Sequence, residues 1–174
     1  MSLFDPWSRS DETGDPFTHC IHCKLPLLEL ASPWLVNKDF HKGECVLEYA
    51  ICESCRERAS EDFSEDSKEA VRHFLEEEIP WDERLMSFVH NPEARVENCI
   101  SCNCPREHAE GYATSILFTA SGEIDYGPLP LLICSDCVEQ MSERLSEATR
   151  DSWRRFLDEN FDSPPQLSSL PGLL

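Results

Sequence analysis

The chain has 174 residues and a strongly acidic composition, with 34 Asp and Glu residues against 15 Lys and Arg residues and a formal net charge of −19. A negative field of this strength repels phosphate backbones, and the basic residues are scattered among acidic ones. The sequence therefore predicts no nucleic-acid binding. No apolar run reaches the ~18 residues of a membrane-spanning helix, so no membrane association is predicted either.

The ten cysteines are the second constraint on the class of protein. The N-terminal residues lack the charged and apolar regions of a secretory signal, so a cytoplasmic location is expected. Thiols stay reduced in the cytosol, where clustered cysteines commonly bind metal.

Eight of the ten cysteines form four C-x-x-C pairs, two in each half of the chain. Two residues between cysteines let both sulfurs turn toward one ion, and two such pairs supply the four tetrahedral ligands of a structural Zn²⁺ site. The sequence therefore predicts two Zn²⁺ ions per chain. The predicted ligands are Cys20, Cys23, Cys52 and Cys55 for the first ion, and Cys99, Cys102, Cys134 and Cys137 for the second.

Three alternatives to this arrangement stay open. The C-x-x-C pairs could serve redox or disulfide chemistry, although a redox dithiol needs no second pair. Four thiolates also bind iron. The pairs could also combine across the halves in a cross-brace, with Cys20 and Cys23 sharing an ion with Cys99 and Cys102. Duplication of a self-contained unit favours separate sites, and on that hypothesis the loss of one ligand unfolds only its own unit.

The first half predicts a knuckle at its first C-x-x-C, a β-hairpin and two helices. β-branched and aromatic residues on both sides of Lys42-Gly43 predict the hairpin, whose second strand leads to the second C-x-x-C. From Glu53 the apolar period becomes helical. Ser64 is the predicted N-cap of a second helix, which Pro80 ends.

The second half repeats this order. When Cys20 is aligned with Cys99, the same shift along the chain places Gly43 on Gly122, whereas the second C-x-x-C pairs align only at a larger shift. Three extra residues are therefore expected in the second hairpin, within the loop at 127–130. Matches at ligand and core positions favour a true duplication.

A knuckle, a hairpin and a helix that begins at the second C-x-x-C occur in this order in treble-clef zinc folds, and each half resembles that superfamily. The stretches between the pairs, 24–51 and 103–133, are longer than the usual zinc-ribbon gap, which makes the ribbon the second interpretation. The resemblance implies an α+β fold built as a tandem duplication of a small zinc-bound unit. It implies no activity, because treble clefs serve unrelated functions.

The expected organisation places the two units between more polar segments. The N-terminal segment has only Phe4, Trp7 and Phe17 as residues able to dock, and the tail has four leucines that could cover a groove or meet a partner. The expected boundaries are 1–18 for a flexible N-terminal segment, 19–80 for the first zinc-binding unit, 81–97 for a connector, 98–161 for the second zinc-binding unit, and 162–174 for a flexible tail.

The second unit also resembles the H-x-E…P-C-x-x-C signature of zinc nucleobase deaminases, through His108, Glu110, Cys134 and Cys137. In that interpretation His108 is a ligand, Glu110 transfers protons and water takes an open position on the metal. The residue before the last C-x-x-C is not the proline of the signature, and the other C-x-x-C of this unit would have no role.

Four further residues are candidates that the pattern does not favour as ligands. His19 precedes the first pair and His22 lies within it, where four cysteines are already present. Cys45 and Cys104 have no counterparts in the other half, so each is expected to be a small packed residue.

The sequence as a whole predicts a non-catalytic zinc-binding protein that acts as an acidic interaction or adaptor module. Its expected partner is a protein, and the acidity favours a basic surface on that partner. A second hypothesis is a zinc-dependent hydrolase of the nucleobase-deaminase type at the second site. A third is an acidic mimic of nucleic acid that binds a basic protein.

Overall fold

The β-branched and aromatic residues on both sides of Lys42-Gly43 form the predicted hairpin of the first unit. A computed structural model describes residues 3–164 of the protein, and strand β1 (Trp34–His41) pairs antiparallel with strand β2 (Glu44–Cys52). Lys42 and Gly43 have φ angles of 51° and 81°. Both are left-handed, as a two-residue type I′ turn requires.

Seven α-helices accompany the strands within the described residues. Helix α3 begins after Ser64, whose hydroxyl accepts a hydrogen bond from the Ser67 backbone N–H and so confirms the predicted N-cap. The last turns of this helix, Phe74–Glu78, are a π-helix, and Pro80 follows. The helices are α1 (Asp5–Ser8), α2 (Glu53–Glu61), α3 (Glu65–His73), α4 (Trp81–His90), α5 (Ala94–Glu97), α6 (Ser135–Glu143) and α7 (Glu147–Asn160).

The second unit has the same order of parts, and its hairpin joins that of the first. Strand β3 (Gly111–Phe118) pairs antiparallel both with β4 (Leu131–Cys134) and with β1. The result is one four-stranded antiparallel sheet with the order β2-β1-β3-β4. The predicted α+β fold with a duplicated unit is confirmed, and the two copies share a sheet.

The register of the strands corrects the alignment of the two hairpins. Trp34 lies opposite Cys52 in the first unit, and Tyr112 lies opposite Cys134 in the second. Trp34 and Tyr112 are therefore equivalent positions in the two units. The second unit loses one residue before β3 and gains four between β3 and β4, so the prediction of a single three-residue insertion was wrong. Gly43 aligns with Gly122 at the same shift as Cys20 with Cys99, and this match hid the deletion of one residue before β3.

A local two-fold axis relates the two units. With Trp34 equivalent to Tyr112, Asn37 corresponds to Ser115, and these two residues lie directly opposite each other where β1 pairs with β3. The Ser115 hydroxyl donates to Asn37 Oδ1 (2.6 Å), and Asn37 Nδ2 donates to the Tyr49 hydroxyl (3.0 Å). Asn37, Ser115 and Tyr49 are all buried, so the axis passes through a closed polar network.

The N-termini of α3 and α7 meet on the same axis. The Oγ atoms of Ser64 and Ser146, the two N-caps, are 2.9 Å apart. The Ser64 backbone N–H donates to Thr149 Oγ1 (2.9 Å), and the Ser146 backbone N–H donates to Ser67 Oγ (2.9 Å). Each unit therefore completes the helix cap of the other.

One hydrophobic core runs through both units. Helix α7 of the second unit packs on the first unit. The ring centroids of Phe156 and His22 are 5.5 Å apart, and those of Phe161, directly after α7, and Tyr49 are 5.7 Å apart. The expectation of self-contained units took no account of this packing. Neither unit buries its apolar face without the other.

The N-terminal segment packs on the sheet from Phe4 onward. Phe4 is buried in a small cluster with Val96 and Ile116, and the Trp7 ring meets Phe40 edge to face at 5.8 Å between centroids. The polar composition predicted a flexible segment, and the aromatic residues were the only signal of docking. The predicted tail lies outside the described residues from position 165 onward.

A buried lysine ties the same segment to the sheet. Lys38 is 1% exposed, and its ammonium group pairs with Asp11 (2.8 Å) and with Glu48 on the neighbouring strand (3.7 Å). Glu48 also accepts hydrogen bonds from the Ser10 hydroxyl (2.6 Å) and the Asp11 backbone N–H (2.7 Å). The charge of the buried lysine is therefore compensated partly by the N-terminal segment.

Candidate metal centres

Each half of the chain brings its two C-x-x-C pairs together into one cluster. The four sulfurs of each cluster all lie within 4.8 Å of one another. The clusters are Cys20, Cys23, Cys52 and Cys55 in the first unit, and Cys99, Cys102, Cys134 and Cys137 in the second. The structure thus forms two separate sites, and the cross-brace alternative is not formed.

The distances between sulfurs fit a single tetrahedral ion. A tetrahedron with metal–sulfur bonds of about 2.3 Å has sulfur–sulfur edges of about 3.8 Å. The edges Cys99–Cys137 and Cys102–Cys134 are 3.8 and 3.7 Å, and the edge Cys23–Cys52 is 4.0 Å. Both sites are therefore geometrically suited to hold a metal ion.

The first pair in each cluster lies on a tight knuckle. The Lys24 backbone N–H donates to the carbonyl of Cys20 (3.0 Å), and the Asn103 N–H donates to that of Cys99 (2.9 Å). Lys24 and Asn103 have φ angles of 64° and 62°, which lie in the left-handed region. This conformation reverses the chain directly after the second cysteine of the pair.

The second pair in each cluster lies where a strand becomes a helix. The backbone N–H groups of Cys52 and Cys134 donate to the sulfurs of Cys20 (3.5 Å) and Cys99 (3.3 Å). Burial raises the pKa of the Cys20 thiol, but backbone N–H donors, chiefly that of Cys52, lower it to about 7 overall. At the second site, hydrogen bonds between the Cys99 sulfur and the thiols of Cys134 and Cys137 lower the pKa of Cys99. One sulfur per site is thus stabilised as the thiolate that metal binding requires.

Arg84 on α4 supports the second knuckle, a role that the sequence did not predict. Its Nε donates to the carbonyl of Ile100 (3.0 Å), and its Nη2 donates to that of Ser101 (3.1 Å). These carbonyls lie between the two knuckle cysteines. No sequence pattern identifies such a residue, because its partners are backbone atoms.

We expect Arg84→Met to weaken the second site while leaving its four ligands in place. Methionine keeps the aliphatic volume but removes two charge-assisted hydrogen bonds, so the free energy of unfolding should fall by about 2 to 4 kcal/mol. Chemical denaturation and the rate of metal transfer to a chelator measure the two effects. Arg72→Met is the matched control, because Arg72 makes only exposed ion pairs, which are worth less than about 1 kcal/mol. Equal losses in the two variants would contradict the assignment.

The histidines and the two unmatched cysteines of the sequence lie outside both clusters, as expected. His19 Nδ1 contacts the Thr18 hydroxyl (2.8 Å), and the ring of His22 faces Phe156. Burial and the charge of nearby Glu48 raise the pKa of Cys45 to about 12. Burial likewise raises the pKa of Cys104, whose sulfur is 3.5 Å from the carbonyl of Pro105.

The residues of the deaminase hypothesis do not assemble. His108 lies 3.7 Å from Glu107, and Glu110 lies 4.0 Å from His41 and 3.9 Å from Lys42, with both His108 and Glu110 largely exposed. Neither joins the group of four sulfurs in the second unit. A site with one histidine, two cysteines and an open position is therefore not formed.

Comparison with known proteins adds no relative: no protein-family model, no curated protein and no solved structure matches the chain. Within residues 3–164, no helix combines the length and the apolar character needed to cross a bilayer. The class of protein is therefore defined by the fold together with the two cysteine clusters. It is an α+β protein with a duplicated unit and two four-cysteine clusters suited to metal.

Proposed function

We propose that each cluster holds one Zn²⁺ ion and that both ions are structural. The observation that carries this proposal is the sulfur tetrahedron in each unit, with edges close to those of a zinc–thiolate site. Four sulfur ligands complete the coordination of zinc and leave no position for water or substrate. Three of the four cysteines in each cluster are buried, as in a closed site.

We expect protein purified without added metal to contain two zinc ions per chain. X-ray absorption should show four sulfur neighbours for each zinc at about 2.3 Å. Cys104→Ser should leave the metal content unchanged, because Cys104 belongs to neither cluster. One metal per chain, nitrogen among the neighbours, or the visible absorption of iron–thiolate centres would contradict the proposal.

The role that these sites support best is that of a non-catalytic, acidic interaction or adaptor module. Its partner is a protein with a basic surface, since a net charge of −19 attracts such a surface and repels phosphate. The two closed sites stabilise the fold that presents this charge. None of the ten cysteines is in a disulfide, which favours a reducing compartment such as the cytoplasm.

The charge makes a direct prediction about nucleic acids. The metal-loaded protein should not bind duplex or single-stranded DNA or RNA at physiological salt, because phosphate contacts dominate such affinity and every filled site adds further negative charge. Fluorescence anisotropy with labelled oligonucleotides measures this, with a poly-lysine peptide as the positive control for salt-dependent association. Micromolar, salt-sensitive binding to either nucleic acid would overturn the proposed partner class.

A further inference from the structure

An apolar groove lies beside the N-terminal segment, on the face of the sheet that does not contact α7. Its volume is about 670 Å³, and Phe17, Leu28, Trp34, Val36 and Phe118 are among its lining residues. The side chains of one strand alternate between faces, so Trp34 and Val36 point away from the face on which α7 packs. Leu28 is 67% exposed. An open apolar groove on so acidic a protein indicates a binding site.

The local two-fold axis relates this groove to a site that the chain fills itself. Trp34 and Phe118 stack with centroids 5.4 Å apart, and their counterparts Tyr112 and Phe40 stack at 4.8 Å. Trp7 of the N-terminal segment covers the second stack through Phe40. Between residues 3 and 164 nothing fills the corresponding space over the first stack. The symmetry therefore indicates that a chain segment with large apolar side chains suits the groove.

We propose that residues 165–174 of this chain dock in the groove. These ten residues comprise four leucines, two prolines, two serines, one glutamine and one glycine, with no charged side chain. Over the whole chain, 28% of residues are charged. An uncharged, leucine-rich segment supplies the apolar side chains that such a groove accommodates, as Trp7 supplies one over the stack of Tyr112 and Phe40.

The end of α7 brings this segment within reach. Asn160 Nδ2 lies 3.4 Å from His22 Nδ1, at the knuckle of the first unit. His19, three residues earlier on that knuckle, lines the groove. Three residues span at most about 11 Å, whereas ten extended residues span up to about 33 Å. The five residue steps from Asn160 to residue 165 add at most about 17 Å. The segment is therefore long enough to pass around the knuckle and enter the groove.

Hydrogen exchange of the full-length, zinc-loaded protein tests this proposal. Docking should slow exchange of the backbone amides in residues 165–174 by at least about tenfold relative to a synthetic peptide of the same sequence. Leu28→Asp should restore the rate of the free peptide, since it places a charge in the groove. Leu25→Asp is the matched control, because Leu25 is similarly exposed on the same loop but does not line the groove.

A reciprocal variant guards against an indirect effect of the groove substitution. Leu170→Asp, in the segment itself, should speed exchange in residues 27–36 while both zinc ions are retained. Exchange of residues 165–174 at the rate of the free peptide in the unmodified protein would overturn the proposal. So would equal effects of Leu25→Asp and Leu28→Asp. Protection that rises with protein concentration, together with dimers in light scattering, would assign the groove to a second copy instead.

Discussion

Replacing Cys134 by serine is expected to unfold the whole described fold, not only the second unit. Zinc coordination supplies on the order of 10 kcal/mol in small zinc modules, comparable with the entire stability of a typical domain. Cys134 ends β4, which pairs with β3, and β3 in turn pairs with β1 of the first unit. Unfolding of the second unit should therefore destabilise the first, because side chains of both units pack in one hydrophobic cluster.

Cys104→Ser is the matched control for this prediction. It removes a sulfur from the same unit, but from outside the cluster. Native mass spectrometry should show two zinc ions in the control, and amide NMR spectra should show dispersed signals from both units. The outcome that contradicts coupling is a Cys134→Ser protein with one zinc ion and native signals for residues 19–80. That result would restore the view of two self-contained units.

The local chemistry of each site was predictable from the sequence, because it depends on short-range spacing. The C-x-x-C pairs, the turn at Lys42-Gly43 and the N-cap at Ser64 each involve a few neighbouring residues with strong geometric preferences. These features appear in the structure where the sequence placed them.

The pairing of β1 with β3, which joins the two units in one sheet, was not predictable in the same way. Strand β1 is buried on both faces from Trp34 to Phe40, yet it contains Asn37, Lys38 and Asp39. A central strand usually appears as a continuous apolar run, and these polar residues hide that signal. Their partners lie on other segments, as Asp11 does for Lys38, and no local pattern identifies such partners.

The alignment of the two copies shows a second limit of sequence comparison. The cysteines align the two ends of each unit. They do not fix the alignment of the strand residues between them, because the loops of the two units differ in length. Only the strand register, with Asn37 opposite Ser115, shows which strand positions are equivalent in the two units. The symmetry axis, and with it the exchanged helix caps, follows from that register and not from the cysteine spacing.

Thr149→Val is expected to destabilise the protein strongly, because it removes one hydroxyl from the junction of the two helix caps. Thr149 is fully buried, and its Oγ1 accepts hydrogen bonds from the Ser64 backbone N–H (2.9 Å) and the Ser146 hydroxyl (3.0 Å). Valine has nearly the same shape, so no cavity forms. The N–H of the part-buried Ser64 is left without its acceptor, and the free energy of unfolding should fall by about 2 to 3 kcal/mol.

Denaturant titration of the zinc-loaded protein measures this loss, with Thr18→Val as the control. Thr18 is exposed, so the same replacement there should change stability by less than about 0.5 kcal/mol. Ser67→Ala removes the symmetric acceptor, which serves the Ser146 N–H, and should destabilise the protein similarly. Because both hydroxyls belong to one network across the axis, the double variant should lose less than the sum of the two single losses. Strictly additive losses, or a Thr149→Val protein as stable as the control, would mean that the two caps act independently and that the axis does not couple the units.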